Sequence, residues 1–389
     1  MSSKCILIID DDKRTAEQYC EKIKKASQKS SEVYSFECLS GDNLLTEFKK
    51  LEKRQNDQRK GEIIELKGTK FDKAELLVLD FDLTSLGRSD TVITGELVAY
   101  YALVFSNCGP IISFNRRRRN FDLSLIGEVR VWSDIDLSGA DLSNYGLWAY
   151  KWGRNYRPWS WPFLPYLIRI DNKRIKEAEE GLDQTIKKFL DIPDDISKVM
   201  PRELMQMIGS LDAKLIDLAK LRLLFPKDAK VLKNNQLARI ASRLLARWLD
   251  SIVLPGQHIL VDLPHLIYRF PALLRNKSRE LKVWNNAVRF FAKESKIVGV
   301  KKLNKHQFKR NLWLNRDAWW SDRVDNEKSL TNMNKSVDVG AIPVFAEDAS
   351  RFYKASECKE FAISIFSPYS RRWVKEFSGI EYEPKSRYL

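Results

Sequence analysis

"CILIIDDDKR", residues 5–14, is the stretch that decides the fold: an unbroken apolar run that ends in three aspartates. Apolar residues without alternation describe a strand covered on both faces, as in a parallel sheet. Asp10, Asp11 and Asp12 directly behind it repel one another, so the arrangement asks what positive partner sits at the strand's end.

The pattern continues outward from this run. Residues 13–28 place Ala16, Tyr19, Cys20 and Ile23 at helical spacing. Residues 32–40 alternate as a second strand, 43–55 read as a helix, and a Lys-rich stretch up to residue 74 reads as a surface insertion. "AELLVLDFDL" (74–83) is a third strand ending in acid, and 93–106 a helix. "GPIISFN" (109–115) is a fourth strand and "GEVRVWSD" (127–134) the expected fifth. Strands alternating with helices predict an α/β domain over residues 1–144, a doubly wound five-stranded parallel sheet. Such sheets bind ligands at the carboxyl ends of their strands.

Asp10 and Asp11 leave the end of strand one, and Asp80 leaves the end of strand three. If those strands are neighbours, three carboxylates meet and need a cation. Oxygen-only ligands at the mouth of a crevice suit Mg²⁺, which keeps several waters. A metal there brings a phosphoryl donor to the Asp80 carboxylate, and attack by that carboxylate gives an acyl phosphate.

"ILIIDDD", "LLVLDFDL" and "PIISFN", in this order and spacing, resemble the response-regulator receiver domain of two-component signalling. The resemblance covers about the first 140 residues and none of the rest. It implies a flavodoxin-like fold, Asp80 as phosphoacceptor, and Asp10, Asp11, Asp80 and the carbonyl of Asp82 as ligands of a weakly bound Mg²⁺. It implies Ser113 as the hydroxyl that turns toward the phosphate, and a histidine kinase or other signalling protein as partner. "TGELVAYY" (94–101) resembles the start of the helix after the acceptor loop. Two features depart from the family. Thr84 stands where a proline is usual, and Ser133 and Asp134 stand where a Lys-Pro pair follows strand five. The run Arg116 to Arg119, with Arg116 and Arg117 nearest strand four, is the substitute source of positive charge. Two expectations follow: a working phosphoacceptor, or a pseudo-receiver that retains the fold and serves as a docking module.

Beyond residue 145 the texture changes. Residues 145–168 hold four tryptophans, four tyrosines and three prolines, which reads as a rigid connector. Residues 169–389 read as a basic, mainly helical domain with some strands, with helices at 173–190, 200–224 and 235–252. His258, Asp262 and His265 in "HILVDLPH" have a spacing that suits a metal or hydrolytic site, although the middle of the motif reads as a buried strand. Asp322, Glu347 and Asp348 are candidates for a nuclease-like acidic cluster. No helix-turn-helix, zinc-finger or Walker signature is present.

Charge separates the two parts. Residues 1–150 carry 22 Lys/Arg against 24 Asp/Glu, a net of −2; the whole chain is +15, which leaves +17 for the remainder. Such a basic region attracts phosphate backbones, so nucleic acid is the expected partner of the C-terminal effector. The alternatives are a non-enzymatic pseudo-receiver adaptor in a multi-protein bacterial complex, such as a defence system, and a receiver-regulated nuclease or hydrolase. Self-association is compatible with each. Five scattered cysteines without CxxC pairs read as reduced thiols, and the absence of a basic leader or an 18-residue apolar run points to the cytoplasm rather than a membrane.

Overall fold

The computed structural model describes residues 4–28, 30, 32–86, 93–115, 120–122, 132–139, 141–149, 157–274, 280–288, 303–314, 316–335, 342–362 and 372–383. Strands β1 (Lys4–Ile9), β2 (Tyr34–Leu39), β3 (Ala74–Asp80) and β4 (Ile111–Asn115) belong to one sheet; β5 (Asn120–Asp122) lies outside it, and β6 (Ile135–Ser138) completes it. The order is β2-β1-β3-β4-β6, and every neighbouring pair is parallel. Side chains alternate between two cores. Ile6, Ile8, Leu76, Val78, Ile112 and Phe114 face α1 (Lys13–Ser27), while Leu7, Ile9, Leu77, Leu79 and Ile111 join α2 (Gly41–Arg59) and α4 (Gly95–Phe105). Burial on both faces is why these strands read as continuous apolar runs. The single turn α3 (Lys70–Lys73) closes the polar insertion with a Thr69–Asp72 capping box.

The fifth strand is displaced from its expected place. Residues 132–134 precede the strand, which runs over 135–138, and 127–131 lie outside the described residues. Asp134 is spent on the start of β4 instead: its carboxylate accepts from Ile111 N at 2.7 Å, and its own N–H donates to Ile111 O at 2.8 Å. β6 is a half-exposed edge strand, so "IDLS" carries too few apolar residues to announce itself.

The helices beyond the connector also differ from expectation. α5 (Leu164–Glu180) starts inside the expected connector, with Pro165 in its first turn, and stops at Gly181. A Cβ at Gly181 would lie 2.5 Å from the Phe189 ring, which belongs to the separate turn α6 (Ile186–Phe189). After α7 (Asp194–Val199), the expected helix over 200–224 is broken at Gly209, whose φ is +77°, leaving a 3₁₀ turn at Arg202–Met205 and the short helix α8 (Leu215–Leu221). α9 (Asn234–Trp248) forms as expected and ends in a π-turn.

α9 docks on the N-terminal sheet. Leu237, Ile240, Leu244 and Leu245 enter the same buried cluster as Leu77, Ile111 and Val104. Arg239, Arg243 and Arg247 are four residues apart, which puts them on one helix face. Arg243 pairs with Asp134 and, at 3.0 Å, with Asp171; Arg247 bonds Asp136 at 2.7 Å and Ser133 O at 2.5 Å. Arg239 donates to Ser106 O and, at 2.9 Å, to Asn107 Oδ1. Nearby, the buried Asp228 accepts from Gln55 and Tyr100 at 2.8 Å and from Arg59 at 2.7 Å. The sheet's α2/α4 face is thus completed by a helix supplied from far downstream.

The remainder comprises β7 (Leu260–Asp262), α10 (Leu263–Arg269), α11 (Leu281–Ala287), β8 (Ala318–Trp320) and further short elements. β7 pairs antiparallel with β8. Strands β9 (Val344–Ala346), β10 (Arg351–Tyr353), β11 (Lys359–Ala362) and β12 (Arg372–Val374) form a second sheet in the order β10-β9-β12-β11. The last described strand, β13 (Glu381–Glu383), pairs in parallel with β5. No described helix is long and apolar enough to cross a membrane.

Candidate functional site

Because β1 and β3 are neighbours, their C-terminal ends bring Asp10 and Asp80 together. Both are buried, Asp11 joins them half-buried, and one carboxylate oxygen from each lies within 4.8 Å of the other two. Among the described residues this is the one group of three His, Cys, Asp or Glu side chains gathered so closely. The third opening aspartate does something else. Asp12 caps α1, its Oδ1 accepting from Thr15 N and Thr15 Oγ1, both at 2.7 Å, while its N–H donates to Asp10 Oδ1 at 2.9 Å.

The loop after β3 folds back on Asp80. Asp82 N–H donates to Asp80 Oδ1 at 3.3 Å, and Asp82 Oδ1 accepts from the Thr84 hydroxyl at 2.6 Å. Ser85 donates its hydroxyl proton to Asp11. Gly95 opens α4 directly beneath: its N–H donates to Phe81 O at 3.2 Å, and a Cβ there would lie 2.4 Å from Asp80 O. Ser113 is buried on β4 level with Leu79, one position before Phe114, which is level with Asp80. Arg116 and Arg117 lie outside the described residues.

Ser133 and Asp134 do not stand at the pocket. They precede β6 and therefore lie at the opposite end of the sheet, where they meet Arg247 and Arg243. The chain that leaves β6 runs "GADLSNYGLWAY" (139–150), and its first cation is Lys151.

A second cluster lies in the C-terminal half. Asp262 caps α10, and its Oδ1 is 2.6 Å from His265 Nδ1; His265 Nε2 is 3.2 Å from Glu347 Oε1. Arg372 donates to the other oxygen of Glu347 at 2.8 Å, and Arg316 lies 3.6 Å from Asp262 Oδ2 and over the Trp159 ring. Burial alone would depress the His265 pKa, but Asp262 and Glu347 outweigh it and hold it above the ordinary histidine value. Glu347 resists burial in the same way, kept below the usual carboxylate range by Arg372 and His265. With a carboxylate oxygen at each ring nitrogen, His265 bridges Asp262 and Glu347 and has neither nitrogen available to serve as a general base. His258 sits apart, against Gly256, where a Cβ would meet its ring at 2.3 Å.

The expected nuclease-like cluster does not assemble. Asp322 lines an open, polar cavity of about 490 Å³ with Asp195, His306 and Arg323. Glu347 is held by His265 and Arg372, and Asp348 accepts from Lys375 N, Glu376 N and the Tyr382 hydroxyl. Arg316 and Arg372 were not legible as members of this cluster, because their partners are remote in sequence and neither falls in a periodic pattern. A scan against protein-family models and a search of curated proteins return no match, so the geometry carries the functional argument.

Proposed function

We propose that residues 1–144 form a receiver-type regulatory domain that accepts a phosphoryl group on Asp80 and controls the C-terminal half. The convergence of Asp10, Asp11 and Asp80 at adjacent strand ends carries this reading. An all-oxygen donor set of this size fits Mg²⁺, held by these three carboxylates with the carbonyl of Asp82. When bound, the metal neutralises charge on the carboxylates and on an incoming phosphoryl group. The chain's own contribution is positional. The Asp82 N–H on Asp80 Oδ1 fixes one carboxylate oxygen, and the other attacks phosphorus. The new bond is a carboxyl O–P bond, and the bond to the donor's leaving group breaks. Aspartyl phosphorylation of this kind needs a donor such as a phosphohistidine or acetyl phosphate.

Intact mass after incubation with acetyl phosphate and Mg²⁺ tests the assignment. The expected result is one added phosphoryl group that is lost in Asp80→Ala and on chelation of the metal. The second reading, a pseudo-receiver docking module, is favoured by one observation: no Lys or Arg occurs from the end of β6 to residue 150. An unmodified wild-type mass under these conditions would establish it.

Nucleic acid remains our proposed partner for the C-terminal half, with a narrower basis than the charge sum suggests. Arg157, Arg174, Arg239, Arg243, Arg247 and Arg372 are all buried. α9 is therefore not a phosphate-binding helix, and binding would rest on exposed lysines and arginines elsewhere. Gel shifts of the full chain across a salt series should show affinity that falls steeply as salt rises. Salt-independent binding would mark a protein-type interface instead.

A further inference from the structure

We propose that Cys20 and Cys38 form a reversible modification site, a dithiol that hydrogen peroxide closes into a disulfide between α1 and the edge strand β2. It is independent of the reading of Asp80. Cys38 is level with Ile8 in the sheet, and both pack on the face that α1 covers. Ala16 and Cys20 stand one turn apart on α1, where the helical N–H of Cys20 points at Ala16 O. Cys38 Sγ lies 3.7 Å from that same carbonyl oxygen. Helical side chains lean toward the N-terminus, so the Cys20 thiol tilts over the Ala16 turn and reaches Cys38. There the two thiols hydrogen-bond each other.

Both are half-buried, which leaves them open to a small neutral oxidant. The other cysteines are placed differently. Cys5 alternates with Leu7 and Ile9, whose side chains face α2 rather than α1. Cys108 is buried, and Cys358 stands alone just before β11.

Burial raises both thiols, Cys38 to about 12, while the hydrogen bond from Cys38 favours the Cys20 thiolate. Cys20 is therefore the nucleophile. Its sulfur attacks one peroxide oxygen, the O–O bond breaks, and the departing hydroxide takes up a proton, leaving a sulfenic acid and water. The Cys38 sulfur then attacks the Cys20 sulfur, the S–O bond breaks, and hydroxide leaves with the Cys38 proton as a second water. The two thiols are oxidised by two electrons and the peroxide is reduced by two. A dithiol reductant reverses the bond by exchange. Because the cross-link encloses the turn between α1 and β2, it restricts the unfolded chain.

Treating the full chain with hydrogen peroxide, then removing the excess with catalase, tests this. We expect thiol titration in denaturant to fall by two of the five cysteines, and a tryptic fragment that joins Cys20 to Cys38. Melting should shift upward and return when dithiothreitol is added. Cys38→Ser keeps the nucleophile without its resolving partner, so dimedone should label Cys20 in that variant. Cys20→Ser should take no label at Cys38, and such a label overturns the order of attack. Two unlinked thiols in peroxide-treated wild type overturn the proposal, as does a cross-link through Cys5, Cys108 or Cys358 or between two chains.

Discussion

Gly95 opens α4 in a space that a methyl group cannot enter. Its nearest neighbours are backbone atoms, Asp80 O at 2.4 Å and Phe81 O at 2.7 Å from an ideal Cβ, and backbone cannot rotate away. Gly95→Ala should therefore push the loop after β3 off the helix and destabilise the protein by about 1 to 3 kcal/mol. Urea unfolding measures the loss, and Mg²⁺ titration on the same variant should show weaker binding because Asp80 moves with its loop. His265 gives a pH-dependent counterpart. Its pKa is raised in the folded protein, so its contribution is complete below the unfolded value of about 6.5 and fades as pH rises through the higher folded value. Unfolding free energy should thus decline above neutral pH in the wild type, and His265→Gln should flatten that slope; an unchanged slope would assign it to another group. Asp10 and Asp80 were legible because each ends an apolar run, and Asp11 because it follows Asp10, which fixes a strand end without any knowledge of its neighbours. The role of Asp12 was not, although the helix was expected from residue 13: the three aspartates read as one repelling group, and only the turn of the Asp12 side chain back onto Thr15 N makes it a cap.

At the scale of elements, α9 shows where periodicity is informative and where it stops. Its apolar spacing gave the helix, within a few residues. Its three arginines add to the positive charge of the C-terminal half, yet they are the buried clamp that fastens the helix to the sheet. Only the partners distinguish these cases, and Asp134, Asp136 and Asp171 are remote in the chain. Burial would depress the Arg243 pKa, but Asp134 and Asp171 overcome this and raise it, so the guanidinium stays charged. Arg243→Met keeps most of the volume and strands two carboxylates, so a loss of about 3 kcal/mol or more is expected in urea unfolding. The triple replacement Arg243→Met, Asp134→Asn, Asp171→Asn should recover much of it; failure to recover would mean that packing, not charge, governs the site. β5 and β13 were invisible for a related reason. Each is three residues long and gains its strand character from the other, across most of the chain.

For the whole molecule, charge and composition change near residue 145, and the packing is nonetheless continuous across that point. One buried cluster runs from Leu7 and Leu77 through Tyr100 and Ile111 into α9 and on to Phe352. Composition reports which residues are polar; it does not report which distant helix covers which face, and that is why the sheet was legible and its closure was not. A fragment of residues 1–168 keeps all five strands and loses α9. Leu77, Leu79, Ile111 and Trp132 would then lie along an incompletely covered face, and Asp134 would lose Arg243. Small domains have little stability to spare, about 5 to 15 kcal/mol in total, so removing one covering helix and its ion pairs consumes much of it. The fragment should bind the dye ANS, show weak near-ultraviolet circular dichroism and melt without a sharp transition, as expected of a loosely packed state. The full chain should unfold with the signals of Trp132 and Trp248, one from each half, changing together. A fragment that stays dye-negative and melts cooperatively would show that α9 is a removable partner of the sheet, and that the front domain stands alone after all.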